Sequence, residues 1–264
     1  MTLTADVSGH ELLVEIDGPL AILRLNRPER LNALSRPMLQ LLSQEVPKIV
    51  AAPQVRAILI TGAGRAFCAG GDVGGMGPPD PQAVLAGMAQ AHAWVKALRF
   101  CEKLVVTAVN GAAAGGGFGL ALVGDVVLAS SAAFFKAGFT DLGVAADYGL
   151  GYTLPRAVGG PRAADILFSD RRVSVEEAER IGLVSRVLPA EAFEAAALAF
   201  ARKLANAPRG AQLSKRLLRL EEQEAFSAYL AAEATTQLEA FQSEDFLEGV
   251  AAFREKRPAV FLGR

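Results

Sequence analysis

Ile60-Thr61-Gly62-Ala63-Gly64-Arg65-Ala66-Phe67-Cys68-Ala69-Gly70-Gly71-Asp72 is an apolar run that ends in glycines. Further on, Val109-Asn110-Gly111-Ala112-Ala113-Ala114-Gly115-Gly116-Gly117-Phe118 repeats the pattern. A strand-like run that closes on glycine exposes backbone N–H groups and lets another group approach the main chain. Two such loops can aim two N–H donors at one oxygen. That is the geometry of an oxyanion hole, often the largest electrostatic contribution in acyl chemistry.

The flanking sequence gives these loops an α/β setting. Residues 12–16 alternate as a strand, and 20–25 read as its hairpin partner across Asp17-Gly18-Pro19. Met38, Leu41, Leu42, Val46, Ile49 and Val50 recur at helical spacing, with Pro47 expected to bend or shorten that helix. Residues 55–61, 104–109 and 125–129 read as short buried strands, 83–100 as helix, and 118–123 as the start of another helix. Strands alternating with helices imply parallel crossover units. Beyond Pro161 the strand signals fade. Ser174-x-x-Glu177 is a capping box, and 191–204, 211–222 and 224–241 are rich in helix formers. The expected plan is an α/β core over 1–190 and a helical part over 191–264.

Composition narrows the function classes. With 264 residues, 52% hydrophobic and 21% charged, the chain can bury a sizeable core, and wholesale disorder is excluded. A formal net charge of −1 argues against a nucleic-acid surface. Cys68 and Cys101 are too few for a disulfide scaffold and are expected reduced, in a cytoplasmic protein. The first residues lack the order of a signal peptide. The uncharged run 105–124 carries Gly111, Gly115 and Gly119 at membrane-helix spacing, but Ala and Gly dominate it and Asn110 interrupts it, so it reads as a buried strand leading into a buried helix.

Other chemistries find little support. Gly115-Gly116-Gly117-Phe118-Gly119-Leu120 is neither a dinucleotide fingerprint nor a nucleotide loop, and no Gly-x-Ser-x-Gly nucleophile motif occurs. His10 and His92 are the only histidines and have no metal-ligand spacing. His92 is expected on a helix surface or groove wall. Asp72 reads as a helix N-cap. Taken alone, the glycine triplet is as compatible with tight backbone packing as with function.

Several motifs in one order resemble a known family. They are Leu25-Asn26-Arg27-Pro28, Leu31-Asn32-Ala33-Leu34, Phe67-Cys68-Ala69-Gly70-Gly71-Asp72, Val109-Asn110-Gly111 with Gly115-Gly116-Gly117, and Leu142-Gly143 followed by Asp147-Tyr148-Gly149, Leu154-Pro155-Arg156 and Gly159. Together they resemble the enoyl-CoA hydratase/isomerase (crotonase) superfamily over nearly the whole chain. The resemblance implies a spiral of ββα units with a helical C-terminal trimerisation region, a homotrimer or dimer of trimers, and a coenzyme A thioester as substrate. It implies no metal and no separate cofactor. The amides of Gly71 and Gly116 would form the oxyanion hole, with Gly116 near a helix N-terminus whose dipole favours negative charge.

The same resemblance places the two glutamates of typical hydratases at Gly119 and Phe139, so both are absent here. Adding water to a double bond needs one group to activate water and another to handle a proton at carbon 2. Asp147 matches an aspartate that serves as base in isomerase branches, and its apolar neighbours are expected to raise its pKa. One carboxylate suffices to move a proton between carbons. Asp141 is expected to face away. Arg27, Ala66, Ala69, Phe253 and Lys256 match positions that contact coenzyme A; Lys256 and Arg257 read equally as charges complementing a helix C-terminus. The Gly- and Pro-rich loop 74–80 is expected to shape the acyl pocket. The expected activity is an enoyl-CoA isomerase. The alternatives are an enoyl-CoA hydratase and a catalytically silent acyl-CoA-binding subunit.

Overall fold

The protein is described by a computed structural model over residues 3–4, 11–76 and 80–264. It opens with β1 (Leu3–Thr4), β2 (Leu12–Asp17) and β3 (Leu20–Leu25), joined as antiparallel neighbours, then α1 (Arg36–Ala51). A repeating unit follows, in which one strand enters a first sheet, the next enters a second sheet, and a helix completes the turn. The first unit is β4 (Ala57–Gly62), β5 (Ala66–Cys68) and α2 (Pro81–Phe100). The second is β6 (Leu104–Val109), β7 (Ala112–Ala114) and α3 (Gly116–Ala121). The third is β8 (Val126–Ser130), β9 (Phe134–Lys136), α4 (Leu150–Val158) and α5 (Gly160–Ser169). Then come β10 (Arg172–Ser174), α6 (Val175–Arg180) and β11 (Arg186–Leu188). The helical C-terminal region holds α7 (Phe193–Ala205), α8 (Arg209–Leu218), α9 (Glu222–Phe241) and α10 (Glu244–Glu255).

The larger sheet runs β1-β2-β3-β4-β6-β8-β11 and the smaller β10-β9-β7-β5. From β3 onward the pairs of the larger sheet are parallel. Every residue of β4 and β6 is buried, as parallel strands covered on both faces require. On one face of the larger sheet, Phe193, Ala197, Ala201 and Ala205 of α7 recur every four residues against Leu20, Leu59, Val106 and Leu128. The small alanines let α7 approach the strands closely. On the other face, Met38, Leu42, Val46 and Ile49 of α1 join Phe67, Trp94, Phe118 and Phe226 in the main core.

Several expectations are corrected. The α1 helix runs through Pro47 without stopping. Pro47 lies on the exposed side, while Val46 and Ile49 hold the turn in the core. The Ser35 hydroxyl caps α1 by accepting from the Met38 amide at 3.1 Å. The Gly- and Pro-rich loop ends at Asp80, which caps α2 by accepting from the Gln82 amide at 3.1 Å. Residues 77–79 of that loop, like His10, lie outside the described residues. The third helix begins at Gly116, two positions before the expected Phe118. The strands β5, β7, β9, β10 and β11 have three residues each, too few for alternation to show in sequence. The α4 and α5 helices were likewise not anticipated, since Pro155, Gly159, Gly160 and Pro161 mask their periodicity. Among the described residues no helix is long and apolar enough to cross a membrane. The run 105–124 is divided among β6, β7 and α3.

Candidate active site

The two glycine loops meet where each strand of the larger sheet hands over to the smaller. Gly62 and Gly111 admit the crossing: a Cβ on Gly62 would lie 2.3 Å from the Ala66 carbonyl oxygen, and one on Gly111 2.0 Å from that of Arg65. Two asparagines then clamp the first loop. The Asn32 amide group donates to the carbonyls of Ala63 and Ala66 at 2.9 and 2.8 Å. That of Asn110 donates to Gly64 and Ala66 at 2.9 and 3.1 Å, while its oxygen accepts from the Gly62 amide at 3.1 Å. These clamps stood in the quoted motifs, but nothing in sequence spacing identified their partners.

Leu34 makes a single parallel bridge to Gly71. Its N–H donates to Gly70 and its carbonyl accepts from Asp72, at 2.7 and 3.3 Å. In a parallel bridge the central residue's own amide points away from its partner, which turns the Gly71 N–H outward. Gly116 is the first residue of α3, where an amide has no intrahelical acceptor. Neither amide donates to a backbone acceptor among the described residues. The loops also touch. With Gly70 at φ +92°, a Cβ there would sit 2.9 Å from the Ala114 carbonyl and 3.4 Å from the Gly116 nitrogen, and one on Gly117 would sit 2.2 Å from the Cys68 carbonyl. Close approach therefore accounts for Gly70 and Gly117, and two unengaged amides remain at Gly71 and Gly116.

Asp147 stands over the second loop. Its Oδ1 is buried with no hydrogen-bond partner and lies 3.3 Å from where a Gly116 Cβ would be. Burial is the main force holding this carboxyl well above the usual carboxylate range; the nearby Glu233 carboxylate adds to it, and the Gln237 side chain opposes it. Tyr148, at φ +53°, packs its ring on Gly116, 2.7 Å from a Cβ built there. Burial also pushes the Tyr148 hydroxyl well up, and it pushes the Cys68 thiol up to about 12, so Cys68 is not a thiolate nucleophile.

The positions of the missing glutamates are filled. A Cβ on Gly119 would meet the Tyr148 Cβ at 2.7 Å and the Asp147 carbonyl at 2.9 Å. Phe139 is buried in the main core. Asp141 pairs with Lys136 at 2.5 Å on the surface. The expectation for Asp72 is corrected. Although it precedes a 3₁₀ turn, its side chain caps nothing and accepts from Arg27 Nη1 at 2.9 Å. His92 is corrected too. It is buried, with Nε2 2.8 Å from Glu233 Oε1, because α9 covers that side of α2.

Beside Gly71 runs a groove of about 1070 Å³. Ala69, Gly71, Asp72, Phe253 and Lys256 line it, together with Arg30 and Arg65, which sequence reasoning did not select. Neither Arg30 nor Arg65 has an ion-pair partner among the described residues. Arg27 and Ala66 do not line it. The Arg27 guanidinium is engaged by Glu11, Asp72 and the Ala33 carbonyl, and the Ala66 carbonyl by the two asparagines. Gly116 and Asp147 are not groove walls either. Among the described residues no cluster of three His, Cys, Asp or Glu side chains is placed to hold a metal.

The family model described as "Enoyl-CoA hydratase/isomerase" matches residues 15–264. This chain belongs to the enoyl-CoA hydratase/isomerase family. It is 39% identical over 259 residues to a probable enoyl-CoA hydratase of Rhodobacter capsulatus, covering 98% of this chain and 100% of that one. It is 36% identical over 259 residues to the 1,2-epoxyphenylacetyl-CoA isomerase of Escherichia coli K12, covering 96% and 98%. Among solved structures, an enoyl-CoA hydratase from Mycobacterium avium subsp. paratuberculosis superposes with a TM-score of 0.87 at 30% identity, over 96% of this chain and 98% of that one. A monofunctional enoyl-CoA isomerase from M. smegmatis gives 0.67 at 33%, over 89% and 100%. As a member of the enoyl-CoA hydratase/isomerase family the chain is an enzyme of acyl-CoA chemistry, and the spiral of ββα units is the family's fold.

Proposed function

We propose that this family member is an enoyl-CoA isomerase that moves a double bond from the 3,4 to the 2,3 position of an acyl-CoA through a thioester enolate. The observation that carries this reading is the buried Asp147 carboxyl, whose Oδ1 has no hydrogen-bond partner, next to Gly116, with Gly119 and Phe139 at the hydratase glutamate positions. The Asp147 carboxylate takes a proton from carbon 2. The electron pair moves onto the thioester oxygen, where the Gly71 and Gly116 amides hold the charge. The same carboxyl returns the proton to carbon 4, and the double bond settles between carbons 2 and 3. No atom is gained or lost, so one acid/base suffices. A base with a raised pKa drives the first step better and remains a competent acid for the second.

Coenzyme A is part of the substrate here, with no further cofactor required. Arg30, Arg65 and Lys256 supply positive charge along the groove for its phosphates, and Phe253 supplies an apolar wall. Exposed Leu217, Leu218 and Leu220 fit burial against further copies, as a homotrimer or dimer of trimers. Two free cysteines accord with a cytoplasmic setting.

A second reading, hydration of 2-enoyl-CoA, is favoured by the names of the relative at 39% identity and of the structure with a TM-score of 0.87, both called hydratases. Purified protein given trans-3-enoyl-CoA and trans-2-enoyl-CoA of matched length separates the two. Conversion of the first with no 3-hydroxyacyl product from the second supports the isomerase. A 3-hydroxyacyl product from the second establishes the hydratase, and no product from either leaves an acyl-CoA binder.

A further inference from the structure

The α9 helix carries two buried polar side chains, Glu233 and Gln237, that the reaction above does not use. They are 4% and 1% exposed and lie one helical turn apart on the face that also buries Phe226 and Leu230. Burying a carboxylate and an amide in an apolar helix face is unfavourable unless their hydrogen bonds are met. They are met by the loop that carries Asp147. Glu233 Oε2 accepts from the Gly149 amide at 2.9 Å, and Oε1 is 2.8 Å from His92 Nε2 of α2. Gln237 Oε1 accepts from the Ala145 amide at 2.9 Å, and its side chain favours the charged form of the Asp147 carboxyl. The loop is thus pinned on both sides of Asp147.

It has reason to need pinning. Tyr148 and Gly149 are consecutive left-handed residues, at φ +53° and +72°, and for tyrosine that conformation is unfavourable unless its surroundings enforce it. A Cβ on Gly149 would also lie 2.6 Å from the Phe226 ring of α9, so the helix and the loop are fitted against each other.

We propose that Glu233, bridging His92 and the Gly149 amide, is a positioning residue that, with Gln237, holds the 145–149 loop so that Asp147 Oδ1 stays unpartnered beside Gly116. The inference rests on Asp147 being the base. The groups facing Asp147 are Tyr148 on its own loop, Cys68 at the end of β5, and Glu233, Gln237 and Tyr229 on α9, with His92 of α2 behind Glu233. Glu233 and Gln237 act on its ionisation in opposite directions. The Glu233 charge disfavours a second anion, whereas the Gln237 side chain favours it.

That opposition supplies the test. The Asp147 carboxyl is titrated in full-length protein labelled with ¹³Cγ-aspartate, its signal identified by its loss in Asp147→Asn. The pH profile of kcat/KM is then recorded with trans-3-hexenoyl-CoA. In Glu233→Gln the Asp147 midpoint and the acid limb of the profile are expected to move to lower pH. In Gln237→Met both are expected to move to higher pH. A merely structural role lowers stability in both variants without opposite displacements. If Glu233→Gln does not fold, Gln237→Met alone decides, an upward move supporting the inference and an unmoved midpoint overturning it. Unmoved titrations with an inactive Asp147→Asn overturn the inference alone. Undiminished turnover in Asp147→Asn overturns the base and the inference with it.

Discussion

Ionising Asp147 is costly, because its Oδ1 is buried and a second carboxylate lies close by. Its pKa is higher in the folded chain than in the unfolded one. The native state therefore binds more protons between the two values, and stability falls as pH rises through that window and stays reduced above it. Replacing Asp147 by Asn should raise the melting temperature at neutral pH, with the gain vanishing in acid; calorimetry across pH reads this directly. The same substitution should lower kcat by about 10³-fold, the scale of general acid–base catalysis. In the wild type kcat/KM should fall as pH drops through the raised Asp147 pKa. Gly119 makes the complementary point. An added methyl meets Tyr148 and the Asp147 carbonyl, so Gly119→Ala should cost about 1–3 kcal/mol of overpacking, and Gly119→Glu should give no 3-hydroxyacyl product.

One level up, the proposed oxyanion site is a pair of strand-to-strand crossings. Each loop is held by its own strand in the smaller sheet, β5 for the first and β7 for the second, and these pair in parallel. Gly117 lets the loops close: with its would-be Cβ 2.2 Å from the Cys68 carbonyl, any side chain pushes α3 away from β5. Gly117→Ala should therefore separate the Gly71 and Gly116 amides and lower kcat by about 10²–10³-fold, the loss expected for one oxyanion donor. A KM that changes far less than kcat would confirm that the missing interaction belongs to the transition state.

Across the molecule, long-range charge pairs lock the C-terminal helices onto the core. Asp125, just before β8, accepts from the Val105 amide and from Lys215 of α8, both at 2.8 Å, and pairs with Arg219 at 3.3 Å. Arg99 of α2 reaches Glu222 of α9 at 2.8 Å. Lys215 is 4% exposed, so Asp125→Ala leaves a buried ammonium without its carboxylate and should destabilise by about 3 kcal/mol. The double variant Asp125→Ala with Lys215→Met should recover most of that loss in denaturant titration, since the buried charge is then gone.

The sequence alone was sufficient wherever physics acts on neighbours along the chain. The buried runs of β4 and β6, the β2–β3 hairpin, the Ser174 cap and the two glycine loops are all set by local spacing, and the ordered motifs identified the family. Asp147 was legible because its loop reads as part of those motifs. Tertiary structure decided what depends on partners far apart. Asp72 faces Arg27 across 45 residues instead of capping a helix, and His92 meets Glu233 across 141. Three-residue strands exist because existing sheets supply their hydrogen bonds, and Pro47 stays helical because the core holds the residues beside it. A sequence records which groups are present. Which of them end up buried together, and therefore which charges and amides lack a partner, is fixed only when distant segments pack.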